Sequence, residues 1–324
     1  MKKILVTGAG GFIGSHVAEL LVESGYSVKA LVRYNSRISW GWLEDSPCLE
    51  DIEIISGDIR DFDSVSKALG ECDAVFHLAA LIGIPYSYVS PLAYIKTNVE
   101  GTYNVLEAAK QLNLEQVLIT STSETYGSAQ YVPIDEKHPM VGQSPYAATK
   151  IAADQLALSY WRSFDLPVKV VRPFNTYGPR QSARAIIPTV ITQVLAGEDV
   201  HRLGNMRPIR DLTFVKDTAL GFLEIAAAQS LIGKVTNIGM NQEISILDLV
   251  TMIGSLMGKE LQIATEDERV RPGASEVERL FCDNACLKKA TNWNPQYTLK
   301  TGLLETIEWI REHMDHYKHS VYNL

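Results

Sequence analysis

Residues 4–16 read Ile4-Leu5-Val6-Thr7-Gly8-Ala9-Gly10-Gly11-Phe12-Ile13-Gly14-Ser15-His16. A short apolar run breaks at a glycine cluster, and a helical pattern opens directly after it. Gly8, Gly11 and Gly14 form a G-x-x-G-x-x-G loop. Gly8 permits a tight turn. Gly11 lets the backbone approach a pyrophosphate, whose charge meets amides at the helix N-terminus. Gly14 permits close packing of helix on strand. Phe12 and Ile13 fall inside the same candidate loop. A glycine loop alone is a weak signal, but a strand before it and a helix after it make it a dinucleotide-binding candidate.

Outward from this loop, the first half alternates apolar runs with helical patterns. Strands are predicted over residues 3–7, 27–32, 52–56, 74–78, 116–121 and 168–172, and helices over 14–24, 63–69, 99–112 and 146–164. The strand segments are mostly continuous apolar runs, which suits strands buried on both faces. The alternation predicts an α/β fold with a doubly wound parallel sheet. Beyond Pro173 the texture changes: Gly178, Pro179, Pro188, Gly197, Gly204 and Pro208 punctuate the chain, and arginines cluster. This predicts a smaller C-terminal α/β lobe in two stretches, with a strand near 234–239 returning to the sheet. The expected division is 1–173 plus roughly 212–240 for the dinucleotide-binding part, and roughly 174–211 plus 241–324 for the lobe.

Composition narrows the class. The 324 residues carry 30 basic and 38 acidic side chains, a net charge of −8, with 46% hydrophobic residues. That is too apolar for a disordered chain and argues against a protein that coats nucleic acid. Cys48, Cys72, Cys282 and Cys286 form no CxxC and join no histidine pattern, so reduced thiols and no metal are expected. The N-terminus enters a strand at once without a signal-peptide layout, and no apolar run suits a bilayer. A cytoplasmic location with no membrane partner is the expectation.

Two positions bear on the cofactor. The second strand ends in Val32-Arg33-Tyr34-Asn35-Ser36-Arg37, where an acidic residue would bind a ribose 2′-hydroxyl. Arg33 and Arg37 would accept a 2′-phosphate, or lie exposed or stacked on adenine, so NAD and NADP both stay open. After the third strand, Asp58 either accepts from an adenine amino group or caps a turn, with Ile59 beside it.

The stretch Ser144-Pro145-Tyr146-Ala147-Ala148-Thr149-Lys150 carries the chemistry. Ser144 suits an N-cap and Pro145 the first helical position. Tyr146 and Lys150 then stand one turn apart on one face. An ammonium near a phenol favours the phenolate, giving a base for an alcohol that loses hydride from its carbon.

Together, the glycine loop, Ser121-Thr122-Ser123 after a strand, and Tyr-x-x-x-Lys resemble the extended short-chain dehydrogenases/reductases. So do Asn98 in Thr-Asn-Val-Glu-Gly-Thr, Arg172-Pro-Phe-Asn-Thr-Tyr-Gly-Pro-Arg180, Arg210-Asp-Leu-Thr-Phe-Val and Arg271-Pro-Gly-Ala-Ser-Glu-Val. The resemblance spans essentially the whole chain. It implies a Rossmann-type sheet, a tightly bound and recycled NAD or NADP, and a nucleotide-sugar substrate. It also implies a triad of Thr122, Tyr146 and Lys150, with Thr122 bonding the 4-hydroxyl. Leu78, Ala79, Ala80, Asn98 and Pro173 join the implied cofactor site. Tyr86, Ser87, Asn175, Arg184, Arg210 and Arg271 join the substrate site, where arginine suits a diphosphate.

A 4,6-dehydratase needs one group more than an epimerase. Oxidation at C4 acidifies the C5 hydrogen, a second base removes it, water leaves from C6, and hydride returns there. Glu124, two residues beyond Thr122, would point to the same side on an extended backbone. Thr122-Ser123-Glu124 resembles the GDP-mannose 4,6-dehydratases. It departs from the dTDP-glucose enzymes, where an aspartate stands at the Ser123 position as the C6 acid, so Glu124, Ser123 or water is left to serve the leaving hydroxyl. UDP-xylose-forming decarboxylases also carry Thr-Ser-Glu. Pro85-Tyr-Ser-Tyr88, the stretch 121–136, Gln181 to Pro188, and Tyr34-Asn-Ser with Trp40-Gly-Trp42 are similar to dehydratases of nucleotide-linked N-acetylglucosamine. In legionaminic-acid-type pathways that sugar is GDP-linked, and relatives use the UDP sugar. A uronate decarboxylase, a 4-epimerase and a catalytically silent dinucleotide-binding protein are the alternatives. Apolar residues on several faces of helices 99–112 and 146–164, including Leu156, Leu158 and Trp161, resemble the family's dimer-forming four-helix bundle.

Overall fold

The computed structural model describes residues 2–318. Its first half runs β1 (Lys3–Thr7), α1 (Phe12–Glu23), β2 (Ser27–Arg33), β3 (Ile52–Gly57), α2 (Phe62–Leu69) and β4 (Ala74–His77). Then come α3 (Ile84–Val89), α4 (Pro91–Tyr94), α5 (Gly101–Gln111), β5 (Gln116–Thr120), α6 (Pro145–Phe164) and β6 (Val168–Pro173). A π-turn over Ile95–Glu100 joins α4 to α5, and a 3₁₀ turn spans Ser123–Tyr126 after β5.

The second half holds β7 (Asn175–Tyr177), α7 (Ile186–Leu195), β8 (Val200–Leu203), β9 (Ile209–Arg210), β10 (Leu212–Phe214), α8 (Val215–Ala227) and β11 (Val235–Ile238). It ends with β12 (Ile244–Ser245), α9 (Ile246–Leu256), β13 (Gln262–Thr265), α10 (Ala285–Ala290) and α11 (Leu299–Glu312).

Among the described residues, seven strands form one sheet in the order β11-β6-β5-β4-β1-β2-β3. Every neighbouring pair in it is parallel. The continuous apolar runs explain this: β4 and β6 are buried along their whole length, as strands covered on both faces must be. The chain builds outward from β1 to β3 and then crosses to β4 on the other side. The gap beyond the ends of β1 and β4 is therefore the switch point, where such sheets hold ligands.

One core, on the face of α1 and α8, packs Val6, Val17, Leu21, Phe76 and Phe222. The opposite face packs Val105, Leu106, Ala157 and Leu158. A separate core belongs to the lobe, joining α7, α9 and α11 through Ile191, Leu249, Ile253 and Ile307. Leu287 of α10 and Trp293 lie within 241–324 yet pack in the first core, with the Trp293 indole donating to the Asp217 carbonyl at 2.9 Å. Residues 319–324 of that stretch lie outside the described residues.

Cys282 and Cys286 do not share a helix face, because α10 begins after Cys282. No helix among the described residues is long and apolar enough to cross a membrane.

Candidate active site

A cleft of about 1060 Å³ runs from the glycine loop to the arginines of the lobe. That lies at the upper end of single-ligand pockets, with the switch point at one end and the lobe at the other. The residues expected from sequence converge on it. Gly8, Gly11, Phe12, Ile13, Gly14, Arg33, Asn35, Asp58, Ile59, Leu78, Ala79, Ala80 and Pro173 line one end. Thr122, Ser123, Glu124, Tyr146 and Lys150 line the middle, and Tyr86, Asn175, Arg184, Arg210 and Arg271 line the other end. Ser36, Ser87 and Asn98 are not among the lining residues.

The cradle at the first end is built from backbone. Gly8 has φ +73, and a Cβ there would sit 2.7 Å from the Ala79 nitrogen. A Cβ on Gly14 would sit 2.2 Å from the Gly8 carbonyl oxygen, so α1 lies against the loop with no room for a side chain. No side chain caps α1, which leaves its first amides and the positive end of the helix directed at an anion. These features fit a pyrophosphate.

At Asp58 the structure shows the turn arrangement, one of the two expected from sequence. Arg60 holds its carboxylate from Nε at 3.0 Å and Nη2 at 2.5 Å, and the Arg60 amide adds a third bond. The pairing lowers the Asp58 pKa. Asp58 thus closes a turn, and its oxygens are already engaged. Asn35 spends its amide on its own loop, donating to the Arg33 and Ser39 carbonyls and accepting from Arg37 and Ser39.

Ser87 is fully buried and donates to the Ile84 carbonyl. Asn98 brackets Leu81, accepting from its amide at 2.8 Å and donating to its carbonyl at 2.9 Å, and also meets Thr149. The π-turn presents Asn98 for this task, a frequent use of such turns near sites. Ser87 and Asn98 therefore shape the wall from behind it.

In the middle of the cleft, Ser144 caps α6 by accepting from the Ala147 amide at 3.1 Å, as its sequence predicts. Tyr146 and Lys150 share one face. Burial raises the Tyr146 phenol well above its ordinary pKa, and the Thr122 hydroxyl partly offsets this. Burial lowers the Lys150 ammonium, and Asp154 partly offsets that. Lys150 donates to the Thr120 carbonyl at 2.6 Å.

The backbone at Glu124 is also not extended. Thr122 caps the 3₁₀ turn by accepting from the Glu124 amide at 3.3 Å. The turn still carries both side chains to the cleft.

At the lobe end, Arg210 and Arg271 approach one oxygen of Glu276, at 3.4 and 3.6 Å. Burial lowers the Arg210 pKa, opposed by Glu124 and then Glu276. Arg184 reaches across the cleft toward Gly83 at the start of α3. The Asn175 Oδ1 and Gln181 Oε1 atoms are buried acceptors with no partner among the described residues, and both residues line the cleft. Buried acceptors without a partner are uncommon and call for an explanation.

Sequence reasoning missed Glu276, Gln181 and the strap Ser39-Trp40-Gly41 as lining residues. Glu276 stood inside a quoted motif, and a lone carboxylate five residues from Arg271 was the available signal. The strap lies on the glycine loop through the Trp42 amide, which donates to the Gly10 carbonyl at 3.0 Å. Trp42 also stacks on His316 and meets Trp309 edge-on, contacts that sequence spacing does not reveal.

A doubly wound sheet with a glycine cradle at its switch point and a Thr–Tyr–Lys set beside it defines a dinucleotide-dependent enzyme class. Comparison with known proteins makes this specific: the profile described as GDP-mannose 4,6 dehydratase matches residues 5–306, and the chain belongs to this family of NAD-dependent epimerases and dehydratases. It is 31% identical to a dTDP-glucose 4,6-dehydratase of Streptomyces antibioticus, over 95% of this chain and 92% of that one. It is 32% identical to a UDP-N-acetyl-alpha-D-glucosaminuronate decarboxylase of Bacillus cytotoxicus, over 96% and 98%. Among solved structures, the UDP-glucuronic acid 4-epimerase of Bacillus cereus, in complex with UDP-glucuronic acid and NAD, superposes with a TM-score of 0.87. It is 29% identical and covers 96% of this chain and 99% of that one. The chain is an enzyme of this family.

Proposed function

We propose that this enzyme is a nucleotide-sugar 4,6-dehydratase acting on GDP- or UDP-linked N-acetylglucosamine and releasing the 4-keto-6-deoxy sugar. The observation that carries the reading is the presence of Glu124 on the same cleft wall as Thr122, Tyr146 and Lys150. An epimerase has no use for that second base. NAD or NADP, which the glycine loop would hold, would supply a hydride acceptor for C4 and a hydride donor for C6.

The chain's own residues do the rest. Thr122 orients the 4-hydroxyl and Tyr146 takes its proton, with Lys150 stabilising the charge that develops. Glu124 takes the C5 proton and passes it to the departing C6 hydroxyl, with Ser123 beside it, and a solvent-derived proton enters at C5 as hydride reaches C6. Arg210 and Arg271 meet the diphosphate, with Arg184, Tyr86 and Asn175 around the nucleotide sugar. Exposed Val89, Leu92, Ile95, Tyr103 and Phe164 support a homodimer built through the helices around α5 and α6. Leu158 is buried and Leu156 and Trp161 pack within the chain's own core, so they do not carry that argument.

The test is a mass spectrum of the product made from each sugar nucleotide in deuterated water. Loss of one water with one deuterium gained at C5 supports dehydration. Unchanged mass with inversion at C4, or turnover only of a uronic acid with loss of carbon dioxide, sinks it in favour of an epimerase or a decarboxylase.

A further inference from the structure

Beneath the cleft floor lies a ring of buried polar side chains that the roles above leave unused. Asp154 stands on α6 one turn beyond Lys150 and two beyond Tyr146, on the same stripe of the helix. Its Oδ2 accepts from the Ser121 hydroxyl at 2.5 Å and from Arg172 Nη2 at 2.6 Å. Arg172 Nε donates to the Ser121 oxygen at 3.2 Å and closes the ring. Asp154 is 0%, Arg172 2% and Ser121 3% exposed. The guanidinium also lies over the Tyr126 ring at 4.6 Å. The second Asp154 oxygen, Oδ1, is buried with no hydrogen-bond partner among the described residues.

A buried ion pair is a weak way to stabilise a fold, since apolar side chains of similar volume do as well or better. Its location suggests another purpose. Ser121 immediately precedes Thr122, Arg172 precedes Pro173 and Asn175, and Asp154 shares the helix of Tyr146 and Lys150. One carboxylate therefore ties together the three segments that bring the reacting groups to the cleft.

The same carboxylate has an electrostatic consequence. The groups around Lys150 are the Thr120 carbonyl from β5, His77 from β4, and Tyr146 and Asp154 from α6. Glu124 faces Tyr146 from the 3₁₀ turn. Arg172 of β6 adds a second cation on the far side of Asp154. His77 is kept neutral by burial, which pushes its pKa down to about 3, with Lys150 acting in the same direction. Asp154 is the group that offsets the burial of the Lys150 ammonium.

We propose that Asp154 is a positioning residue: through Ser121 and Arg172 it holds the Thr122–Glu124 turn against the Tyr146–Lys150 helix, and it sets its carboxylate one helical turn from Lys150. The proposal rests on the reading of Tyr146 and Lys150 as the proton-handling pair.

Asp154→Asn keeps the shape and removes the charge. By leaving buried Arg172 without its counter-ion it is expected to loosen the Thr122–Glu124 turn and lower kcat about 100-fold, with KM changed no more than a few-fold. The alkaline limb of the kcat profile should move down by about one pH unit. The sign follows because Lys150 must stay protonated, and loss of a nearby carboxylate lowers its pKa. Asp154→Glu should return the limb toward its original position. Ser121→Ala, which keeps the charge, should lower kcat a few-fold and leave the limb in place.

A substrate-free readout separates this proposal from the proposed reaction. NMR of carbon-13-labelled lysine side chains, with Lys150 assigned through Lys150→Arg, should show Lys150 titrating at lower pH in Asp154→Asn. Wild-type protein that turns over no nucleotide sugar would end the dehydratase reading. A folded Asp154→Asn protein with unmoved Lys150 titration would overturn the role of Asp154. Should Asp154→Asn not fold, the apolar pair Asp154→Leu with Arg172→Met restores packing. Loss of kcat in that folded double variant supports the proposal, and wild-type kcat overturns it.

Discussion

On the wall formed by α6 and the exit of β5, Lys150, Asp154, Arg172 and Ser121 bond to one another or to backbone at 2.5–3.2 Å. On the facing wall, Arg210 and Arg271 share one Glu276 oxygen at 3.4 and 3.6 Å. The first wall is bonded largely to itself, although the second Asp154 oxygen has no partner among the described residues, and it would change little when a ligand arrives. The second holds its cations with a carboxylate that a diphosphate would replace. The contrast assigns chemistry to the wall with fixed geometry and binding to the wall with exchangeable charge. This is the division expected when catalysis depends on preorganisation and affinity on electrostatic complementarity.

Three substitutions test that division. Tyr146→Phe removes a proton-transfer group from the fixed wall and should lower kcat by about 100- to 10,000-fold. Nucleotide binding by calorimetry should be unchanged, and a matching loss of affinity would break the division. Arg210→Ala on the facing wall should do the reverse. Loss of a charged contact of about 1.5–3 kcal/mol raises KM roughly 10- to 100-fold, and kcat measured at saturating substrate should fall far less. Glu276→Gln should have the smallest effect and the opposite sign. With their counter-ion neutralised, the arginines should bind a nucleoside diphosphate a few-fold more tightly, about 0.5–1 kcal/mol. Weaker binding in a titration would mean that Glu276 supports the arginines rather than competing for them.

The same contrast explains what the sequence made legible. The sheet and the cradle were readable because they rest on local signals: continuous apolar runs, a glycine loop, and Ser144-Pro145 opening a helix. Thr122, Tyr146 and Lys150 were readable from a spacing on one helix and a turn after one strand. The facing wall was only partly readable. Arg184, Arg210 and Arg271 were expected there from motif resemblance and line the cleft, but Glu276 was not singled out, because its meaning depends on two arginines brought to it by the fold. For Asp58 the sequence left a ligand contact and a turn both open, since nothing in Gly57-Asp58-Ile59 shows that Arg60 folds back on it. Glu124 was expected beside Thr122 from an extended backbone, and a 3₁₀ turn stands there instead. The packing of Trp293 with the first core joins residues far apart in sequence, which periodicity cannot report.

The central claim is that Glu124 makes this cleft an elimination site. The direct test compares wild type with Glu124→Gln on GDP- and UDP-N-acetylglucosamine in deuterated water, reading the product mass. Wild type should release a sugar one water lighter with deuterium at C5, while Glu124→Gln binds the nucleotide sugar equally well and forms no dehydrated product. Dehydration by Glu124→Gln at the wild-type rate would contradict the account.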